Sequence, residues 1–206
     1  MSLLFLFDMD DVLYDYDWHA RMAGLTEITG HDLAELRRRW WHEAGEWAAE
    51  AGGFPDGASY RAAQNAALEV ELTVEQWVAN RRSAMRARPA AIAAVRRAAE
   101  LGRVSLLTNN GPLLDENLAA IAPEIAPLFG DHLRTTSRYG ARKPDPVVFE
   151  RVLAHYSAAA SDTFFVDDLP ENVAAAASLG ITTYRYGTAD GLLAAIEAFA
   201  TERAAA

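Results

Sequence analysis

The sequence predicts an α/β protein, a Rossmann-like parallel sheet of about five strands with helices on both faces and an inserted all-helical segment. Three observations lead there. Short apolar runs rich in β-branched or aromatic residues alternate with longer alanine-rich segments of helical period, the pattern of successive βαβ units. The runs are apolar at nearly every position, as strands covered on both faces require. The interval from Tyr14 to Arg88 is too long for one crossover, contains no convincing strand and carries helical period instead.

The strands are read at Leu3–Phe7, Val104–Leu107, His132–Thr136, Thr163–Val166 and Ile181–Tyr184. Between them, Pro89–Leu101 opens on a proline suited to a first helical turn and stops before Gly102, and Pro144–Tyr156 opens in the same way. Glu171–Leu179 closes on Gly180, and Gly191–Arg203 trails into alanines. Within the insert, helical period covers His31–Ala51, Ser59–Val70 and Thr73–Arg86, with a Gly-Pro-rich loop from Gly52 to Gly57. The expected division is therefore a core of residues 1–13 and 89–206 and a smaller helical domain of residues 14–88. Hinges are expected where the two join, near Tyr14–Trp18 and Arg86–Pro89.

Composition narrows the chemistry. At 206 residues and 51% hydrophobic content the chain can bury a sizeable core. No apolar run approaches the about 20 residues of a membrane span, and Met1-Ser2-Leu3 leads straight into a strand, so a cytoplasmic location is expected. A net charge of -10 argues against a nucleic-acid partner. Without cysteine there is no thiolate chemistry, and any metal must be held by oxygen or imidazole, which favours magnesium.

The chemistry-bearing residues stand where the predicted strands end, the edge at which open parallel sheets place their ligands. Asp8 and Asp10 come directly after the first strand and share one face if the strand continues. Two carboxylates so close need a shared proton or a divalent cation. Thr108 and Asn109 come after the second strand, Asp167 and Asp168 with Asn172 after the fourth, and Lys143 precedes a helix. Each alone has a plain alternative as a turn, a cap or one solvated lysine. Together they supply a nucleophile, hydroxyl and amide donors, a cation and a metal-ligand carboxylate in that order.

In this order the residues resemble the four motifs of the haloacid dehalogenase-like hydrolase superfamily: Asp8-Met9-Asp10-Asp11-Val12, Thr108-Asn109, Lys143-Pro144-Asp145, and Val166-Asp167-Asp168 with Asn172. The resemblance spans the core and places 14–88 where the family carries a helical cap. It implies a magnesium-dependent phosphatase acting on a small phosphorylated metabolite. Asp8 would be the nucleophile that forms an aspartyl-phosphate, and Asp10 the general acid and base. Magnesium would be held by Asp8, the Asp10 backbone carbonyl and Asp168, with Asp167 behind them. Thr108, Asn109 and Lys143 would grip the phosphoryl oxygens, and Asn172 would orient Lys143 or the acidic pair. One departure is Asp11, where the family has glycine; aspartate tolerates the left-handed turn better than most residues but adds negative charge.

Two other readings stay open. A regulatory module would bind a phosphorylated metabolite without hydrolysing it. A 2-haloacid dehalogenase would use the same nucleophile, but such enzymes lack the second aspartate and the acidic fourth motif. In the insert, Trp18, Trp40, Trp41, Trp47, His19 and His42 could form a stacking surface near the site, although Trp40 and Trp47, seven apart, read more simply as one packed helical face. Arg37-Arg38-Arg39 reads as a solvated face from which one arginine could meet a charged leaving group.

Overall fold

The computed structural model describes residues 3–205. The chain runs β1 (Leu3–Phe7), β2 (Tyr14–Tyr16), α1 (Trp18–Thr29), α2 (Leu33–Arg39), α3 (Glu46–Glu50), α4 (Gly57–Leu68), α5 (Val74–Ser83) and β3 (Met85–Ala87). It continues through α6 (Pro89–Leu101), β4 (Gly102–Leu106), α7 (Pro112–Ile121), α8 (Ala126–Phe129), α9 (Pro146–Tyr156), β5 (Thr163–Asp167), α10 (Pro170–Ser178), β6 (Thr182–Arg185) and α11 (Ala189–Ala204). The main sheet has the order β4-β1-β5-β6, and its pairings are all parallel.

Strand alternation sends the side chains of β1 to two different cores. Phe5 and Phe7 join one apolar cluster with Ile92, Val95, Ile196 and Phe199 of α6 and α11. Leu4 and Leu6 join the other with Val148, Phe149 and Val152 of α9 and Ala176 of α10. β1 is thus central and apolar on both faces, and it delivers Asp8 and Asp10 to the carboxyl edge of the sheet. The first cluster also takes in Met22, Leu36, Tyr60, Leu68 and Trp77, so the helices between β2 and β3 share the core of the sheet. They rest on α7, and the seam is tight: a Cβ at Gly111 would lie 2.9 Å from that of Ala49 and 3.2 Å from the Tyr60 ring. Across it, the Gly57 N–H donates to Glu116 Oε1 at 2.8 Å and the Thr136 hydroxyl to the Glu50 carbonyl at 2.9 Å.

Three sequence expectations are corrected. His132–Thr136 is not a strand. One bridge survives there, between Thr108 and Thr135, because the Thr135 N–H is taken by the Asp115 carboxylate at 3.0 Å and tight turns occupy Gly130–His132 and Thr136–Tyr139. The interval from Tyr14 to Arg88 is not free of strands, since β2 and β3 pair antiparallel where it leaves and rejoins the sheet. Three residues apiece are too short for alternation to register as a pattern. His31–Ala51 is not one helix. Glu46 N–H donates to the Trp40 carbonyl and Gly45 N–H to that of His42, which folds residues 40–45 into a turn between α2 and α3. Trp40 and Trp47 therefore do not share a face: Trp40 is 3% exposed and Trp47 is 44% exposed. Smaller shifts include α9, which starts at Pro146 rather than Pro144 because the Asp145 carboxylate caps it through Val147 N–H. Among the described residues no helix is long and apolar enough to cross a membrane.

Phe5 is fully buried between the rings of Phe164 and Phe199, at centroid distances of 6.0 and 5.6 Å. Phe5→Ala is expected to cost about 3–5 kcal/mol in urea unfolding. A loss below about 1 kcal/mol would mean that this face of β1 does not carry the core.

Candidate active site

The site is assembled around one buried ammonium. Lys143 is 1% exposed, and its Nζ lies 2.9 Å from Asp8 Oδ1 and 2.6 Å from Asp167 Oδ2. Asp8 comes directly after β1, with its N–H held by the Val166 carbonyl at 3.0 Å, and Asp167 ends the neighbouring β5. Adjacent parallel strands that stop together thus place the two carboxylates either side of the lysine. Asn172, on α10, donates from Nδ2 to both oxygens of Asp167 at 3.0 and 3.1 Å, and Leu169 N–H donates to Asp167 Oδ1 at 2.9 Å.

The Asn109 carboxamide fixes the lysine's backbone. Its Nδ2 donates to the Lys143 carbonyl at 2.8 Å and its Oδ1 accepts from the Lys143 N–H at 2.9 Å. Thr108 is buried beside it, its hydroxyl oxygen accepting from Asn110 Nδ2 at 3.0 Å. Asp8, Lys143, Asp167, Asn172 and Asn109 therefore form one continuous bonded cluster, with Thr108 adjoining it.

Charge in this cluster is unbalanced. Asp8, Asp167 and Asp168 can each bring one carboxylate oxygen within 4.8 Å of the others, against the single Lys143. Burial, with Lys143 opposing it and Asp167 and Asp10 adding repulsion, pushes the Asp8 carboxyl up to about 8. Burial and the Asp167 charge likewise raise Asp168. Lys143 is raised although burial works against it, because Asp8 and Asp167 outweigh that cost. A divalent cation held by oxygen ligands would restore the balance, and the three carboxylates suit one.

Asp10 stands outside the lysine-centred bonds. Both of its oxygens accept from Arg81 Nη2, at 2.7 and 2.6 Å. Arg81 lies on α5, is fully buried, and stacks on the Tyr16 ring at 3.9 Å. Sequence reasoning missed it. The available signal was its place at helical spacing behind Val74 and Trp77, which puts an arginine on an apolar stripe. Asp11 occupies the left-handed turn with φ 58°, as expected. Its carboxylate accepts from Tyr16 N–H at 3.3 Å, and Arg88 answers its charge from 3.7 Å while also binding its carbonyl.

The aromatic residues of the insert do not form one stacking surface. Trp40 donates to Glu46 at 2.7 Å inside a cluster with Phe54 and Tyr60, Trp18 lies under Arg37, and Trp47 under Arg142. Arg38 and Arg39 pair with Glu35 on the surface of α2.

Carboxylates and an ammonium are thus gathered where the strands of a parallel sheet end, the edge at which open α/β sheets place their ligands. The chain belongs to the haloacid dehalogenase-like hydrolases, a family that matches it over residues 3–180. Among its relatives, Phosphatase MT3486 of Mycobacterium tuberculosis (strain CDC 1551 / Oshkosh) is 27% identical over 198 residues, covering 87% of this chain and 84% of the relative. The fold is also that of a HAD family enzyme from Bacteroides thetaiotaomicron, solved with magnesium and inorganic phosphate. That structure gives a TM-score of 0.72 at 20% identity and covers 91% of this chain and 95% of its own. A 2-haloacid dehalogenase from Pseudomonas syringae pv. Tomato DC3000 shares the fold with a TM-score of 0.63 at 19% identity, covering 89% and 85%.

Glu50 joins the insert to the loop before Lys143 through Arg142, at 2.5 Å. Burial, with the Glu46 charge, raises its carboxyl to about 7 against the pull of Arg142. Its folded-state value lies above the unfolded one near 4.5, so its stabilising contribution is complete below about pH 4.5 and is lost as pH rises to about 7. Between those limits the melting temperature of Glu50→Gln should fall less steeply with pH than that of the parent. Parallel curves would show that Glu50 does not titrate differently on folding.

Proposed function

We propose that the chain is a magnesium-dependent phosphomonoester hydrolase acting on a small phosphorylated metabolite, with residues 14–88 closing over the site as a cap. The observation that carries this reading is the buried Lys143 paired to Asp8, with Asp10 two residues beyond. A nucleophile beside a fixed ammonium can receive a phosphoryl dianion, and a second carboxylate next to it can handle the leaving-group proton. The phosphatase-named relative and the magnesium and phosphate complex of the Bacteroides enzyme support the same choice.

In the proposed reaction Asp8 attacks phosphorus in line with the ester oxygen. The P–O bond breaks as Asp10 gives its proton to that oxygen, leaving an aspartyl-phosphate. Asp10 then removes a proton from water, which attacks phosphorus and releases inorganic phosphate with Asp8 restored. Lys143, the Thr108 hydroxyl and the backbone N–H of Asn109 hold the phosphoryl oxygens, because the Asn109 carboxamide is committed to Lys143. Bound at Asp8, the Asp10 carbonyl and Asp168, magnesium would neutralise charge on the attacking and transferred groups. Asp167 and Asn172 hold Lys143 in place.

A dehalogenase reading is disfavoured because Asp10, Asp167 and Asp168 would repel a haloacid carboxylate. A binding module is favoured by one observation, the occupation of both Asp10 oxygens by Arg81. Phosphate release from a panel of phosphomonoesters, with magnesium and with chelator, separates these readings. Magnesium-dependent release is expected, with Asp8→Asn inactive and Asp10→Asn slowed about 10²–10⁴-fold. Full activity in Asp8→Asn would overturn the nucleophile assignment, and no release by the folded protein would favour the binding module.

A further inference from the structure

We propose that Arg81 determines specificity for the leaving group, receiving a second anionic group on the substrate beside Asp10. This deepens the phosphatase reading and rests on it. The ligand chemistry is an anion, either a carboxylate or a further phosphoryl group.

Arg81 holds unmet hydrogen-bonding capacity. It has no exposed surface, yet among the described residues its Nε and Nη1 have no hydrogen-bond partner, and Nη2 alone is paired. A guanidinium offers a planar fork suited to an oxyanion, and here most of that fork is unused. Two other buried charged groups of the insert are engaged elsewhere. Glu46, a buried carboxylate, already accepts from Trp40 and Tyr60 at 2.7 and 2.6 Å. Arg21, also buried, donates to the Tyr16 hydroxyl at 3.1 Å, on the ring over which Arg81 stacks.

Arg81 reaches the reaction centre through Asp10. Its Nη2 spans both Asp10 oxygens, which leaves Nε and Nη1 for a second acceptor. A phosphomonoester with a second negative group supplies one, whereas a neutral alcohol does not.

The test compares kcat/KM within two matched pairs of esters: phosphoglycolate against 2-hydroxyethyl phosphate, and 1,3-propanediol bisphosphate against 3-hydroxypropyl phosphate. The charged member of at least one pair should be favoured at least about tenfold, and the pair that shows it distinguishes carboxylate from phosphoryl recognition. In Arg81→Gln the preference should shrink to within about threefold of parity. If that variant does not fold, Arg81→Lys should still reduce the preference by at least about threefold, since it keeps charge but not the fork. Equal rates or a preference for the neutral esters in the parent protein would overturn the inference, as would a preference that survives either substitution. Release of phosphate from the neutral esters alone would leave the phosphatase reading standing while removing this one. No release from any ester would remove both.

Discussion

The buried Lys143 ammonium is the interaction on which the site depends. It joins what the fold otherwise brings together only by proximity: the ends of β1 and β5 and the loop that precedes α9. Without it, two carboxylates on neighbouring strands would face one another, buried and without this counterion. With it, both carboxylates face a common counterion, Asp167 at 2.6 Å and Asp8 at 2.9 Å. The division of labour between Asp8 and Asp167 is set by their neighbours. Asn172 and Leu169 donate to Asp167 as well, whereas Asp8 Oδ1 meets the ammonium alone.

The geometry is supported from several directions, none of them local in sequence. Asn109 grips both backbone polar groups of Lys143, so the second motif fixes the third. Parallel pairing of β1 with β4 and β5 sets where all three strands stop. Alternation along β1 spends its side chains on the two apolar layers, leaving only its exit for chemistry. A site at the sheet edge built this way needs no long excursion of any loop.

Much of this was legible in the sequence because strands buried on both faces are apolar and end abruptly in polar residues. The β1 boundaries and the placement of Asp8 and Asp167 rest on that signature, the α6 boundaries rest on Pro89 and Gly102, and the grouping with Lys143 and Asn172 rests on the resemblance of the four motifs. Where tertiary contacts outcompete local pattern, it failed. The segment 132–136 has strand-like residues, but Asp115 takes an N–H that a ladder would use. The tryptophans of the insert have helical spacing, but a turn at 40–45 interrupts the helix that spacing assumed. Arg81 was hidden for a different reason. Arg81 and Arg82 are neighbours of the same type, one fully buried and the other reaching the Ala120 carbonyl on the outside of α7. Composition could not tell them apart, and only the phase of the apolar stripe distinguishes them.

The glycine-lined seam between α7 and the insert sets how closely the two layers meet. Gly111 lets Ala49 and Tyr60 approach the backbone just beyond Thr108 and Asn109, which brings the insert directly onto the carboxyl edge of the sheet. A methyl group at this position would act as a wedge, standing between the two layers without touching Asp8, Asp10 or Lys143. The spacing between insert and sheet edge is therefore set by small residues at the seam and not by the charged cluster, so one can be altered while the other keeps its bonds.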